Sequence, residues 1–203
     1  MMAAIAATRF GLGARPGEIA AAQSDPRGFL IDQIRAEGAH QPQANPESSA
    51  QRLDEYRDYQ MNKREAKADG EPKSDPVKDA RKMLRDQTEG DFLARAQLGA
   101  ATDAAFRERW TLFWANHFTV SATKQITAAV VGPFEQEAIR PHVFGRFEDV
   151  LVASSTHPAM LLYLDQAQSM GPGSRAALLL APPPRYPARK GPGRQLVAGR
   201  GRR

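Results

Sequence analysis

The side chains best able to do chemistry in this 203-residue chain gather between positions 106 and 165. Phe106, Trp110, Phe113 and Trp114 repeat at i, i+4, i+7 and i+8, the spacing of one buried helical face, and His117 prolongs that stripe. An imidazole beside large rings must find polar partners. It does so either as a hydrogen-bonded core or boundary residue, the commoner role, or as a general base. Asn116 next to it is a helix-terminal cap or a polar ligand group. Farther along, Glu135 and Glu137 precede the turn Arg140-Pro141-His142, and Glu137 and Arg140 stand at i, i+3, where they can pair on a helix surface. Asp165 follows the apolar run Met160 to Leu164 in the C-terminal half of a helix, where the macrodipole offers a carboxylate nothing. It therefore needs a partner, either an arginine such as Arg140 or Arg146, or a histidine, His117 or His142, whose basicity it would raise.

An enzymatic reading places Asn116, His117, Arg140, His142 and Asp165 in a helical cleft, with His117 as general base and Arg140 as anion anchor. The competing reading is a non-catalytic binding or scaffold domain, in which the tryptophan face packs against a further, absent part of the protein and the polar residues only tie helices together. Other chemistries find less support. His117, His142 and His157 stand 25 and 15 residues apart, without the local spacing of a metal motif, and there is no cysteine for a disulfide or thiolate site. His40 lies in a loop and carries no signal. Gly11-Leu12-Gly13-Ala14-Arg15-Pro16-Gly17 lacks the G-x-G-x-x-G spacing and a preceding strand, so it reads as a turn. Ser121, Ser154, Ser155 and Ser169 have no G-x-S-x-G setting. No cofactor is identifiable from these residues.

The elements that must position these groups are helices. Asp25-Pro26, Asn45-Pro46, Asp75-Pro76 and His157-Pro158 each precede helical composition, and Asp or Asn followed by proline is an N-cap with proline at the first helical position. At His157-Pro158 the cap could instead come from Ser155 or Thr156. Phe29, Leu30 and Ile34 mark a first helix, and Leu53, Tyr56 and Met61 a second, more polar and solvent-exposed one. Residues 63–78 are charged and broken by Gly70, Pro72 and Pro76, a linker. Residues 76–100 form one long helix or two divided at Gly90. Thr102 caps the tryptophan helix, the expected anchor of the core, where each large ring contributes on the order of 2 kcal/mol by burial. Then follow Ile126 to Val131, a break at Gly132-Pro133, a helix from Phe134 to Arg140 stopped by Pro141, another over 142–153, and a last over 158–170. No alternating strand pattern and no solenoid repeat competes. The expected fold is all-α, an irregular multi-helix bundle over residues 1–174, followed by a tail.

That tail distorts the charge balance. The formal net charge is +5, yet residues 171–203 hold 8 of the 28 basic side chains and no acidic one, leaving 20 against 23 in the body. A Pro/Gly/Arg/Ala mixture with Pro182-Pro183-Pro184 and Arg200-Gly201-Arg202-Arg203 cannot supply a core, so residues 175–203 read as disordered. Such a tail can bind nucleic acid or an anionic surface by counterion release, although only Tyr186 could stack a base. No other partner is identifiable. The start lacks a basic leader with a long apolar stretch, and no run approaches the roughly 18 apolar residues of a membrane span, so a cytoplasmic location is the default expectation.

Several stretches together resemble a bacterial family, domain of unknown function 1800. They are Ala7-Thr8-Arg9-Phe10-Gly11-Leu12-Gly13, the run from Arg109 through Trp110, Trp114, Asn116 and His117 to Ser121, the segment Glu137-Ala138-Ile139-Arg140-Pro141-His142, and His157-Pro158 through Asp165. The resemblance implies a mostly helical bacterial protein whose molecular activity is not established. It also implies an Asn/Glu-rich helical motif with Glu-Leu-His-Thr after the Gly-Pro-Xaa-Ser segment. Here Gly171-Pro172-Gly173-Ser174 leads into the arginine-rich tail instead. The expectation is an N-terminal part of a family member, truncated by a frameshift.

Overall fold

The structure, a computed structural model, describes residues 1–34, 42, 47–68, 70, 75–171 and 173–174. The cap at Asn45-Pro46, His40 and the tail at 175–203 lie outside the described residues. The chain divides into two units, Met1–Ala167 and Gln168–Arg203. In the second, the described part closes a turn in which Ser174 N–H donates to the Gly171 carbonyl at 2.9 Å.

The first unit is all-α. Among the described residues its helices are α1 (Met2–Ile5), α2 (Glu18–Ala21), α3 (Pro26–Asp32), α4 (Ser49–Ala68), α5 (Asp75–Ala101), α6 (Ala105–His117), α7 (Gln125–Phe134), α8 (Phe147–Thr156) and α9 (Pro158–Tyr163). α1 runs into a π-helical turn, Ala6–Phe10, and α7 into another, Glu135–Ile139. No described residue is in a strand. No described helix is long and apolar enough to cross a membrane.

Local chemistry explains the starts. Asp25 caps α3, its Oδ1 accepting from Gly28 N–H at 2.9 Å with Pro26 at the first position. α9 is capped by His157 itself rather than by Ser155 or Thr156: its Nδ1 accepts from Ala159 N–H at 3.1 Å. Thr102 Oγ1 accepts from Ala104 N–H at 3.1 Å just ahead of α6. α5 is one helix through Gly90.

Four elements depart from the sequence expectation. α4 continues to Ala68, so the charged stretch from Lys63 is helical as far as Ala68, and its inner face buries Arg52 and Tyr59 instead of leaving the helix solvent-exposed. Gly132-Pro133 does not break α7. Proline has no N–H to offer the Ala129 carbonyl four residues back, and the guanidinium of Arg52 fills that acceptor at 3.2 Å, which lets the helix run through Pro133. Residues 142–145 are turns, not helix, because Gly145 N–H closes on the His142 carbonyl at 2.9 Å; α8 starts only at Phe147. α9 stops at Tyr163 rather than near residue 170. Lys124 Nζ donates to the Tyr163 carbonyl at 3.1 Å, meeting a C-terminal orphan, and Asp165 lies beyond the end at φ 54°.

The core also sits elsewhere than expected. Val130, Phe134, Ala138 and Ile139 on α7 and its π-turn are its centre, with Tyr59, Leu84 and Val150 converging from α4, α5 and α8. Trp110 and Trp114 pack against this core only partly buried, and Phe113 is half exposed. The deeply buried face of α6 carries Ala105, Glu108 and Thr111. The aromatic stripe is thus the flank of the core, because the inner face of α6 carries Glu108 and faces the buried Arg140.

Candidate functional site

Two networks of buried charge tie α4, α5, α6 and the α7 π-turn together. In the first, Arg52 on α4, with no exposed surface, makes a two-pronged contact with Asp91 on α5, Nη2 to Oδ1 at 2.9 Å and Nη1 to Oδ2. Glu47 adds an ion-pair contact at 3.8 Å. Gly132 permits this: a Cβ there would run into the Asp91 carboxylate.

The second is a relay. Arg140 donates Nη1 and Nη2 to the two oxygens of Glu108 at 2.9 and 2.8 Å, the fork-to-fork arrangement of a strong guanidinium–carboxylate pair. It also donates Nε and Nη2 to Glu135 Oε1 at 3.0 and 2.8 Å. The other oxygen of Glu135 pairs with Arg95 Nε on α5 at 3.0 Å. Burial works against the charged form of Arg140, but its bonds to Glu108 and the pull of both carboxylates outweigh this and raise its pKa.

The expected candidates fall around these networks as follows. Arg140 is buried and fully engaged. Glu137, placed beside it in sequence, pairs elsewhere: it accepts from Ser49 N–H and Oγ at 2.8 and 2.7 Å and from His157 Nε2 at 2.9 Å. Because Nδ1 of His157 accepts from Ala159, Nε2 is the nitrogen that carries the proton toward Glu137. Partial burial would raise the Glu137 pKa, yet the Ser49 and His157 contacts prevail and lower it. Asp165 is exposed and takes Lys124 Nζ at 2.7 Å, not an arginine; Arg146 pairs with Glu148 at 2.7 Å.

Asn116 and His117, neighbours in sequence, face different surroundings. Asn116 lines a cleft of about 230 Å³ bounded by Phe92 and Arg95 of α5, Val131 and Phe134 of α7, and Glu135. His117 is exposed and stands among rings, 4.9 Å from Phe118 and 5.5 Å from Trp114 between centroids, both edge-on. His142 lines a second cleft, about 300 Å³, with Trp110, Trp114 and Phe147. There Trp110 Nε1 donates to the Val143 carbonyl at 2.7 Å, while the buried Trp114 Nε1 finds no acceptor among the described residues. Among the described residues no hydrogen bond or ion pair joins any two of Asn116, His117, Arg140, His142 and Asp165. The link that does exist is indirect: Arg140 orients Glu135, Glu135 holds Arg95, and Arg95 shares the first cleft with Asn116.

Sequence reasoning passed over Arg52, Asp91, Arg95 and Glu108. Arg52 and Asp91 are 39 positions apart, and Arg140 and Glu108 are 32 apart, so no local spacing announces either pair. One signal was present for Glu108: it sits with Ala105 and Thr111 at i, i+3 spacing, a face of small and polar side chains opposite the rings.

The N-terminal glycine segment is fastened to the same helices. Arg109 Nη1 donates to the Gly11 carbonyl at 3.1 Å, and a Cβ on Gly11 would overlap the Ala7 carbonyl oxygen of the π-turn. Arg15 holds Glu18 at 2.8 Å and Asp103 at 2.7 Å, tying α2 to the start of α6. The segment is a structural clasp, in keeping with its reading as a turn.

No curated protein and no solved structure matches the chain. A family match covers residues 5–174, spanning every element that builds the two clefts and both charge networks. The chain therefore belongs to the family described as Protein of unknown function (DUF1800).

Proposed function

We propose that this domain is a non-catalytic binding module whose ligand site is the cleft bounded by α5, α6 and α7. One observation carries the reading: the charged groups that line the cleft are matched carboxylate to guanidinium, and the described lining holds no histidine, the His157–Glu137 pair not being among its residues. General base catalysis needs a base within hydrogen-bond reach of its orienting partner and of the reacting proton. His117 has rings for neighbours, Asp165 is taken by Lys124, and Arg140 is taken by Glu108 and Glu135. A fixed, charge-matched wall with an apolar floor serves recognition, since a preorganised pocket binds without reordering its side chains.

The test is ligand-observed NMR of the full chain with a set of small polar and amphipathic molecules, repeated on Val131→Trp, which fills the cleft from α7. Binders to the wild-type chain that are lost in the variant support the reading. Binders that survive the cleft-filling variant, or no binder at all, refute it.

A further inference from the structure

The cleft has a chemical bias that narrows its ligand, and the narrowing rests on the binding reading above. Each carboxylate that lines it is already committed: Asp91 to Arg52, and Glu135 to both Arg140 and Arg95. Arg95 approaches Glu135 most closely through Nε, at 3.0 Å. Its two terminal amino groups donate no hydrogen bond to a described residue, and its side chain keeps 34% of its surface exposed. The side-chain amides of Asn116 and Gln136, which also line the cleft, carry no hydrogen bond among the described residues. The floor is apolar, built from Phe92, Val120, Val131 and Phe134.

We infer that the cleft binds a small monocarboxylate with a compact apolar body, the carboxylate on the free edge of Arg95 and the body on the Phe92–Phe134 floor. A guanidinium held by Nε presents its terminal N–H groups as a planar fork, and a carboxylate matches that fork with two parallel bonds. The relay behind it makes the fork rigid, because Glu135 is itself held by Arg140, which is held by Glu108. Size sets the other limit: about 230 Å³ is below the range that houses drug-sized ligands, so the body is no larger than one ring or a short branched chain.

The experiment uses the full chain and three probes, phenylacetate, the neutral phenylacetamide and inorganic phosphate, measured by titration calorimetry and saturation-transfer NMR. Phenylacetate is expected to bind about ten- to a hundredfold more tightly than the amide, the range of a hydrogen bond to a charged group. Arg95→Gln should erase that preference, Arg95→Lys should reduce it by keeping the charge without the fork, and Phe147→Ser, on the other cleft, should leave it unchanged. Acid and amide binding equally well to the wild-type chain, or a preference that survives Arg95→Gln, overturns the carboxylate assignment; the cleft reading then still stands if Val131→Trp abolishes binding of both. Phosphate binding as tightly as phenylacetate overturns the apolar body. Failure of every probe to bind overturns the assignment and counts against the cleft as well. Should Arg95→Gln not fold, the acid–amide comparison on the wild-type chain and Arg95→Lys decide.

Discussion

Arg140→Met removes the centre of the buried relay and tests whether that relay holds the fold. The side chain of Glu108 is 4% exposed and has its hydrogen-bonded ion pair with Arg140, so the substitution strips an interior carboxylate of that partner and leaves it the charge of its chain neighbour Arg107. Glu135 keeps Arg95 and suffers less. Breaking a buried pair by removing one partner costs about 3–5 kcal/mol, most of it the penalty of the abandoned charge. With a urea m-value of roughly 1–3 kcal/mol/M, the unfolding midpoint should fall by at least about 1 M. Fluorescence of Trp110 and Trp114, both packed on the core, reports the transition. The double variant Arg140→Met/Glu108→Gln removes the stranded charge and should recover stability relative to simple addition of the two single effects, with a coupling of about 1–3 kcal/mol. Arg146→Met is the control: Arg146 and its partner Glu148 are 79% and 68% exposed, and such a surface pair contributes about 0–1 kcal/mol. If Arg140→Met costs no more than Arg146→Met, or the double variant shows no coupling, the relay does not hold the helices and the reasoning built on it fails.

Three further outcomes follow from the same geometry. Gly132→Ala should lower the melting temperature, because the new methyl group meets an Asp91 carboxylate that Arg52 prevents from moving; overpacking of this kind costs about 1–3 kcal/mol. Gly99→Ala in α5, where the nearest atom is Leu12 Cδ1 at an ordinary 3.5 Å, should instead raise stability by up to about 1 kcal/mol, so the opposite signs of two helical glycines measured by calorimetry check the claim. Glu137→Gln should destabilise the chain near neutral pH and lose that effect in acid: the folded pKa of Glu137 is lowered from 4.5, so its contribution is complete above that value and disappears as pH falls through the folded pKa. Chemical unfolding of both chains between neutral pH and below pH 4.5 should show the two stabilities converging only at the acid end. Asp25→Ala should cost about 1 kcal/mol through loss of the α3 cap, visible as a small drop in melting temperature, whereas Asp25→Asn should restore most of it.

What the sequence determined by itself was local. Residues within a turn of one another set the helical class, the Asp25-Pro26 cap, the stop before Pro141 and the reading of Gly11–Gly17 as a turn, because capping, proline geometry and apolar spacing act over a few positions. The motif residues around Trp114, Arg140 and Asp165 were likewise enough to suggest the family. What only the tertiary structure decided was every pairing of charge. Glu137 lies three residues from Arg140 yet bonds to Ser49 and His157, Asp165 answers to Lys124, and Arg140 reaches across to α6. The passage of α7 through Pro133 depends on a guanidinium from α4 that no pattern near residue 133 could announce. Long flexible side chains choose partners by where helices cross, and crossings are set by burial of whole faces, so His117 and Asn116, adjacent in the chain, are divided between the aromatic flank and the cleft.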